Sequence, residues 1–452
     1  MKTLRLSSSG LSGFVGESFT PRNIIDFASA LATYVGGGTV VIGRDTRYSS
    51  PMVYSAAISG FLNAGCNIID LGICPTPMIQ FAVRHYGASA GFSITGNTKA
   101  AGWNSLNMTN SEGCIFDPLS GQTILDIFHS KDFLKSDWQG MGKVSKSNSF
   151  LEPYFDNLEN CINTEAIRAA NLTVLMDILG GAGVPYVNGF AKHLGINLVP
   201  INGEANGYLA REAEPRPRAA KQMASILPYV KGDAGFLFSS DMASMSLVTE
   251  APEPKSEEYT FAVIANHILG KQKGTIVTNS STSQMIDDIA AKHDSKLVKT
   301  KAGQPYVLTT LADEQGVLGG EGNGTAAFAK AGLSFDGFIM MALVLEAMAE
   351  NEAPLSELLG DLPAYHIVKK NVPCSSSEGY RALEYIERLW RQENPEKTID
   401  LQDGLRIDYE DCWKHVRTSR REQIVRVITE SKDRKVAEET AEKIIRTLEE
   451  VL

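Results

Sequence analysis

The densest group of residues able to hold an anion lies near the C-terminus of this 452-residue sequence. Arg417, Ser419, Arg420, Arg421 and Arg426 fall within one short stretch. A guanidinium grips phosphate through two parallel N–H bonds, so the stretch reads as a phosphate cradle. It also reads as a solvated basic surface, the usual fate of a charge run. Asp241 stands alone among hydroxyls in Ser239-Ser-Asp-Met-Ala-Ser244. Magnesium takes six hard oxygen ligands, which one carboxylate supplies poorly. Asp241 therefore reads as a solvated loop residue or a helix cap. Trp103 offers a ring to a sugar or base, or to the core. Gly180-Gly-Ala-Gly183 has neither Walker nor dinucleotide spacing. His85, His129, His193, His267, His293, His366 and His415 show no metal-ligand spacing and read as surface or core residues.

A chain of this length implies three or four domains to position such residues. The net charge of -10 argues against a nucleic-acid or anionic-membrane surface. No apolar run approaches the ~20 residues of a membrane-spanning helix, and residues 1–21 lack the apolar core of a signal peptide. Six cysteines without C-x-x-C spacing fit a reduced, cytoplasmic protein. Residues 38–42, 67–70, 172–177, 234–238 and 275–278 read as buried strands. Helices are predicted at 51–64, behind the capping candidates Ser49 and Ser50, and at 186–194. This alternation predicts α/β units with parallel or mixed sheets. From about residue 366 charge density rises, with a strand at 426–429 and an amphipathic helix at 435–452. The predicted domains are residues 1–145, 146–250 and 251–364, all α/β, and 365–452, α+β.

Four motifs, in order, make the chain resemble the α-D-phosphohexomutase family of phosphoglucomutases, phosphomannomutases and phosphoglucosamine mutases. Gly43-Arg-Asp-Thr-Arg-Tyr-Ser-Ser-Pro51 is similar to G-R-D-T-R-x-S-S-P, and Leu71-Gly-Ile-Cys-Pro-Thr-Pro77 to L-G-x-x-P-T-P. Gly319-Gly-Glu-Gly-Asn-Gly324 resembles the sugar-binding loop, and Arg417-Thr-Ser-Arg-Arg-Glu-Gln423 the phosphate loop R-x-S-[GN]-T-E-P. The resemblance implies four domains around a central cleft, three related α/β domains and a C-terminal α+β domain. It also implies phosphoryl transfer through a phosphoserine, assisted by magnesium.

Gly91-Phe-Ser-Ile-Thr-Gly-Asn-Thr-Lys-Ala-Ala-Gly-Trp-Asn104 resembles the phosphoserine loop, with Asn97 at the serine position. An amide cannot carry a phosphoryl group. Thr98 and Lys99 replace the family's His and Asn; Thr98 as acceptor displaces the phosphoryl by about a 3.5 Å chain step. Positioning is most of phosphoryl-transfer catalysis, which weighs against that shift. Asp241 is what remains of three carboxylates in the metal motif D-G-D-A-D-R. Ser12 and Ser244 stand where the family has arginines, and Lys99 is the one cation gained. The resemblance gives Glu321 two sugar hydroxyls to accept from, places Asn323 beside it, and gives Arg417, Ser419, Arg420, Arg421 and Arg426 the phosphate. Arg44 and Arg47 are expected to pair with Asp45 or other carboxylates.

The expected function is a divergent phosphohexomutase-like protein that binds a phosphorylated sugar without phosphoserine-based mutase activity. It either runs another phosphosugar reaction or binds without catalysis. The alternative is an active intramolecular phosphotransferase with an unusual acceptor. No cofactor and no tightly bound magnesium are expected. The expected partners are a small-molecule phosphosugar and either a second copy of the chain or an intact mutase.

Overall fold

A computed structural model describes residues 3–419 and 423–452. Four sheets organise the chain. Three are built on one plan, which explains the alternation in the sequence. Thr39–Arg44 pairs in parallel with Asn67–Ile73 and Ala90–Ile94, and Trp103–Thr109 returns antiparallel beside the last of these. Thr173–Asp177 pairs in parallel with Asn197–Ile201 and Ala234–Phe238, and Met245–Thr249 returns antiparallel. Ile276–Asn279 pairs in parallel with Leu297–Thr300 and Leu318–Glu321, and Thr325–Phe328 returns antiparallel. The first sheet is extended by Arg5–Ser7 and Gly10–Phe14 on one side and Val144–Lys146 on the other. Apolar β-branched strands buried on both faces are what helix-covered parallel sheets require.

The expected strands form, 234–238 unchanged and the others with edges moved by at most three residues, and the helices run Ser50–Asn63, Val187–Leu194 and Arg434–Val451. Ser49 occupies the N-cap position but makes no capping hydrogen bond. The hydroxyls are engaged elsewhere: Ser50 donates to Asp45 at 2.6 Å, and Asn104 Nδ2 donates to Ser49 at 2.9 Å. A hydroxyl engaged away from its own helix leaves that terminus uncapped.

One core cluster runs through the second and third units, with Phe155, Phe236, Phe261 and Phe338, and takes in Met78, Ile79 and Val83 of the first, whose remaining core around Phe27, Phe61 and Phe92 is separate. The C-terminal unit keeps its own. Its antiparallel strands lie in the order His366–Pro373, Ile424–Ser431, Cys412–Thr418, Leu405–Asp408. Period-two alternation gives this sheet two unlike faces. Leu405, Ile407, Val416, Val425 and Val427 pack with Ile386, Trp390 and Ile444 of the helices Ser376–Glu393 and Arg434–Val451. The opposite face carries Lys369, Arg406, His415, Arg417, Arg426 and Glu430.

Candidate active site

In each of the three related units the turn between the third strand and its antiparallel return is a candidate site loop: residues 95–102, 239–244 and 322–324. The loops abut. Ser240 Oγ donates to the Asn97 carbonyl at 2.8 Å, and the Met245 N–H donates to the Gly324 carbonyl at 2.9 Å. A Cβ on Gly324 would lie 2.1 Å from the Met245 carbonyl oxygen, so that approach requires glycine.

The first loop is held from beneath. Asp45 accepts from Ser50 Oγ, Thr95 Oγ1 at 3.1 Å and the Gly96 N–H at 2.9 Å. Arg47 pairs with Asp45 at 3.2 Å and donates to the carbonyls of Lys99 at 2.7 Å, Ala100 at 2.8 Å and Trp103 at 3.1 Å. Burial pulls the Arg47 guanidinium below its usual range against the opposing effect of Asp45. The structural pairing expected of Arg47 is thus present, and it clamps the whole loop. Asn97 sits in the left-handed region at φ 51°, which asparagine tolerates better than most residues. Its N–H donates to Thr95 Oγ1 at 2.9 Å. Thr98 and Lys99 are half-buried, and Lys99 Nζ donates to Ser105 Oγ at 3.2 Å. The Trp103 ring is covered by the Arg5 guanidinium at 4.3 Å and met edge-on by Phe14.

Asp241 corrects its sequence reading, because it is 1% exposed rather than solvated. The start of the helix Thr76–Tyr86 docks on it: Thr76 Oγ1 donates to Asp241 Oδ2 at 3.2 Å, and the Thr76 N–H donates to the Asp241 carbonyl. Ser239 Oγ and the Ala243 N–H donate to Oδ1. Burial, with Asp45 adding, holds this carboxyl above its usual range while those donors oppose the shift. A sequence cannot show that the covering helix comes from another unit.

Glu321 is buried at the third loop. It accepts from Asn279 Nδ2 at 2.6 Å, from the Gly303 N–H at 2.8 Å and from Asn323 Nδ2 at 3.5 Å. Asn323 is itself exposed. Beneath this loop Glu258 meets Lys369 of the C-terminal unit at 2.6 Å, and Lys369 Nζ donates to the Gly322 carbonyl at 2.7 Å. Burial pushes the Glu258 carboxyl up to about 7 despite the opposing charge of Lys369. A Cβ on Gly322 would lie 2.1 Å from the Glu258 carboxylate.

Arg417 is half-buried, its side chain 17% exposed. It stands directly across the ladder from Arg426, and its Nε lies 3.7 Å from Asp403 Oδ2. Among the described residues that Nε has no hydrogen-bond partner. Burial pulls the guanidinium down; Asp403 opposes this, Arg426 adds to it and Glu321 opposes it. Like charges directly opposite on one sheet face repel. The Ser419 N–H donates to the Ile424 carbonyl across the turn. Arg420 and Arg421 lie outside the described residues.

Sequence reasoning missed the residues that seat the C-terminal unit. Arg406 Nη1 donates to the Ser280 carbonyl, the Gln284 N–H to Glu430 and the Ala302 N–H to Asp403. His415 bridges Ser281 Oγ at 3.2 Å and the Asp403 carbonyl at 2.8 Å, and burial pushes its ring down to about 3. Alternation along residues 412–418 and 424–431 was the available signal for this polar face. His267, Glu346 and Glu350 form another assembly invisible to spacing, and Lys271 Nζ pairs with both carboxylates at 2.9 and 3.0 Å.

The family models for the α/β/α domains I, II and III of phosphoglucomutase/phosphomannomutase match residues 4–135, 152–257 and 256–365. The chain belongs to the phosphoglucomutase/phosphomannomutase family. It is 31% identical over 453 residues to a phosphoglucomutase/phosphomannomutase of Thermococcus kodakarensis, covering 98% of each chain. It is 32% identical over 447 residues to a probable phosphoglucosamine mutase of Pyrococcus abyssi, covering 97% of each. A crystal structure of a phosphoglucomutase/phosphomannomutase family protein from Burkholderia thailandensis shares the fold. The TM-score is 0.85 at 20% identity, over 99% of this chain and 98% of that one. Among the described residues no helix is long and apolar enough to cross a membrane.

Proposed function

We propose that this member of the family holds a hexose phosphate between Glu321 and the Arg417–Arg426 pair, without a phosphoryl relay through residue 97. The observation that carries the reading is the pairing of two changes in abutting loops. The acceptor position is an amide in a left-handed turn, and the adjacent loop turns its one carboxylate into a hydroxyl-capped interior. Arg417 and Arg426 bring two guanidinium groups to one anion, and Glu321 keeps lone pairs for sugar hydroxyls. Lys99 supplies a further cation beside residue 97.

The residues of the 239–244 loop do not fit the magnesium that the family resemblance implies. Asp241 is 1% exposed and already accepts from Ser239, Ala243 and Thr76. A hard divalent ion asks for several open oxygen ligands. The same reading divides the chain into units ending near residues 145, 250 and 364.

A second reading is favoured by the mutase names of full-length relatives at 31–32% identity. On it the chain is an intramolecular phosphotransferase with Thr98 as acceptor. One experiment separates the two. The protein is incubated with glucose, mannose and glucosamine phosphates, magnesium and trace hexose bisphosphate, and followed by ³¹P NMR and intact mass. Binding is expected as line broadening without interconversion of 1- and 6-phosphates. Interconversion with a gain of about 80 Da overturns the main reading and supports the second. R417M is expected to weaken hexose-phosphate binding by about ten- to hundredfold, the worth of a charge-assisted bond.

A further inference from the structure

Lys414 is the one lysine on the helix-facing side of the C-terminal sheet's strand Cys412–Thr418, in the same row as Val416. It stands directly across from Ile407 and Thr429. Alternation therefore turns it toward the apolar layer and away from Arg417 and the candidate site. Its Nζ lies 4.2 Å from the Trp390 ring centre and 5.8 Å from that of Tyr409. Among the described residues it makes no hydrogen bond and no ion pair. Glu393, the carboxylate whose charge reaches it, is engaged by Lys443 at 3.0 Å. Burial lowers the Lys414 ammonium; Glu393 opposes this and Lys443 adds to it.

This ammonium opens into a cavity of about 230 Å³ between the two helices and the sheet. Ile386, Trp390, Tyr409 and Ile444 form its apolar walls, and the paired Glu393 and Lys443 line it beside Lys414. A cavity of about 150 Å³ accommodates benzene, so this one takes a ring with a short substituent. A half-buried ammonium whose nearest carboxylate is engaged by another lysine is poorly compensated, and an anion brought by a ligand would relieve it. A single ammonium balances a monoanion; a phosphate dianion would leave half its charge unmet.

We propose that this cavity is a second ligand site, for a small monocarboxylate whose aromatic or short aliphatic body lies against Trp390, Ile386 and Ile444 while its carboxylate meets Lys414 Nζ. The site is independent of the sugar-phosphate reading, because it lies on the other face of the sheet.

Phenylacetate titrated into the full chain is the probe, read by indole N–H shifts with Trp390 assigned through W390F. Saturable binding is expected, at least tenfold weaker in K414M. Benzyl alcohol, with the same ring and no charge, should bind the unaltered protein at least tenfold more weakly and be indifferent to K414M. I444W keeps Lys414, fills the cavity and should abolish binding, so the test does not hang on one variant. Melting curves of both variants control for folding, and K414M is expected to be no less stable. No saturation below ~20 mM, equal affinity in K414M, or binding that survives I444W each overturns the site. Inorganic phosphate binding with the same Lys414 dependence overturns the monocarboxylate assignment.

Discussion

Arg47 concentrates its donors on one segment: three carbonyls between residues 99 and 103, and Asp45 below them. R47M leaves the Asp45 carboxylate buried without its counter-charge. It should cost about 3–5 kcal/mol in denaturant unfolding. D45N combined with R47M should recover part of that loss, the signature of a coupled pair. His415 behaves oppositely to a surface histidine. Its folded-state value of about 3 lies below its ordinary 6.5. Its contribution is therefore complete above 6.5 and is lost as pH falls toward 3. The stability advantage of the unaltered protein over H415Q should shrink by at most ~1.4 kcal/mol per pH unit across that window. Unfolding curves at pH 7, 5.5 and 4 read it directly.

At the scale of elements, the loops at 95–102 and 239–244 are joined by Ser240 and Asn97 and change function together or not at all. N97S alone supplies a hydroxyl but no carboxylates in the neighbouring loop, so it should stay unphosphorylated by hexose bisphosphate in intact-mass analysis. Adding S239D, A243D and S244R rebuilds the family's D-G-D-A-D-R pattern around Asp241, and phosphorylation should appear only in the combined variant. The strands bearing these loops were legible because apolar runs such as residues 38–42 and 234–238 have one plausible fate in an α/β chain. The motif loops were legible because glycines, Glu321 and the arginines stand at fixed offsets. What could not be read were partnerships across units. Asp241 looked solvated because nothing in its neighbourhood announces Thr76, and Ser49 looked like a cap because nothing announces Asn104. Lys369 and Glu258 are 111 positions apart, and only the folded chain makes them neighbours.

At the scale of the molecule, the C-terminal unit has a core of its own and meets the third unit through polar groups. Such interfaces favour relative motion over rigid fusion. Lys369 is the residue that ties its sheet to the sugar-loop turn. K369M should raise hydrogen exchange at residues 279–284 and 412–418 together, with the core strand Ala234–Phe238 unchanged. The pH course has a definite sign. Glu258 is raised from 4.5 to about 7, so its contribution is complete below 4.5 and is lost as pH rises through 7. E258Q should flatten the stability profile across that window in unfolding measurements. A wider consequence follows from the three hairpin turns. Each is carried by two strands that are buried along most of their length and bonded to each other, so the backbone ends that define a turn stay fixed whatever occupies it. Sequence change inside the turns is thereby uncoupled from the load the sheets bear. A lineage built this way can exchange its chemistry piecemeal, like fittings on a common chassis, without passing through unfolded ancestors.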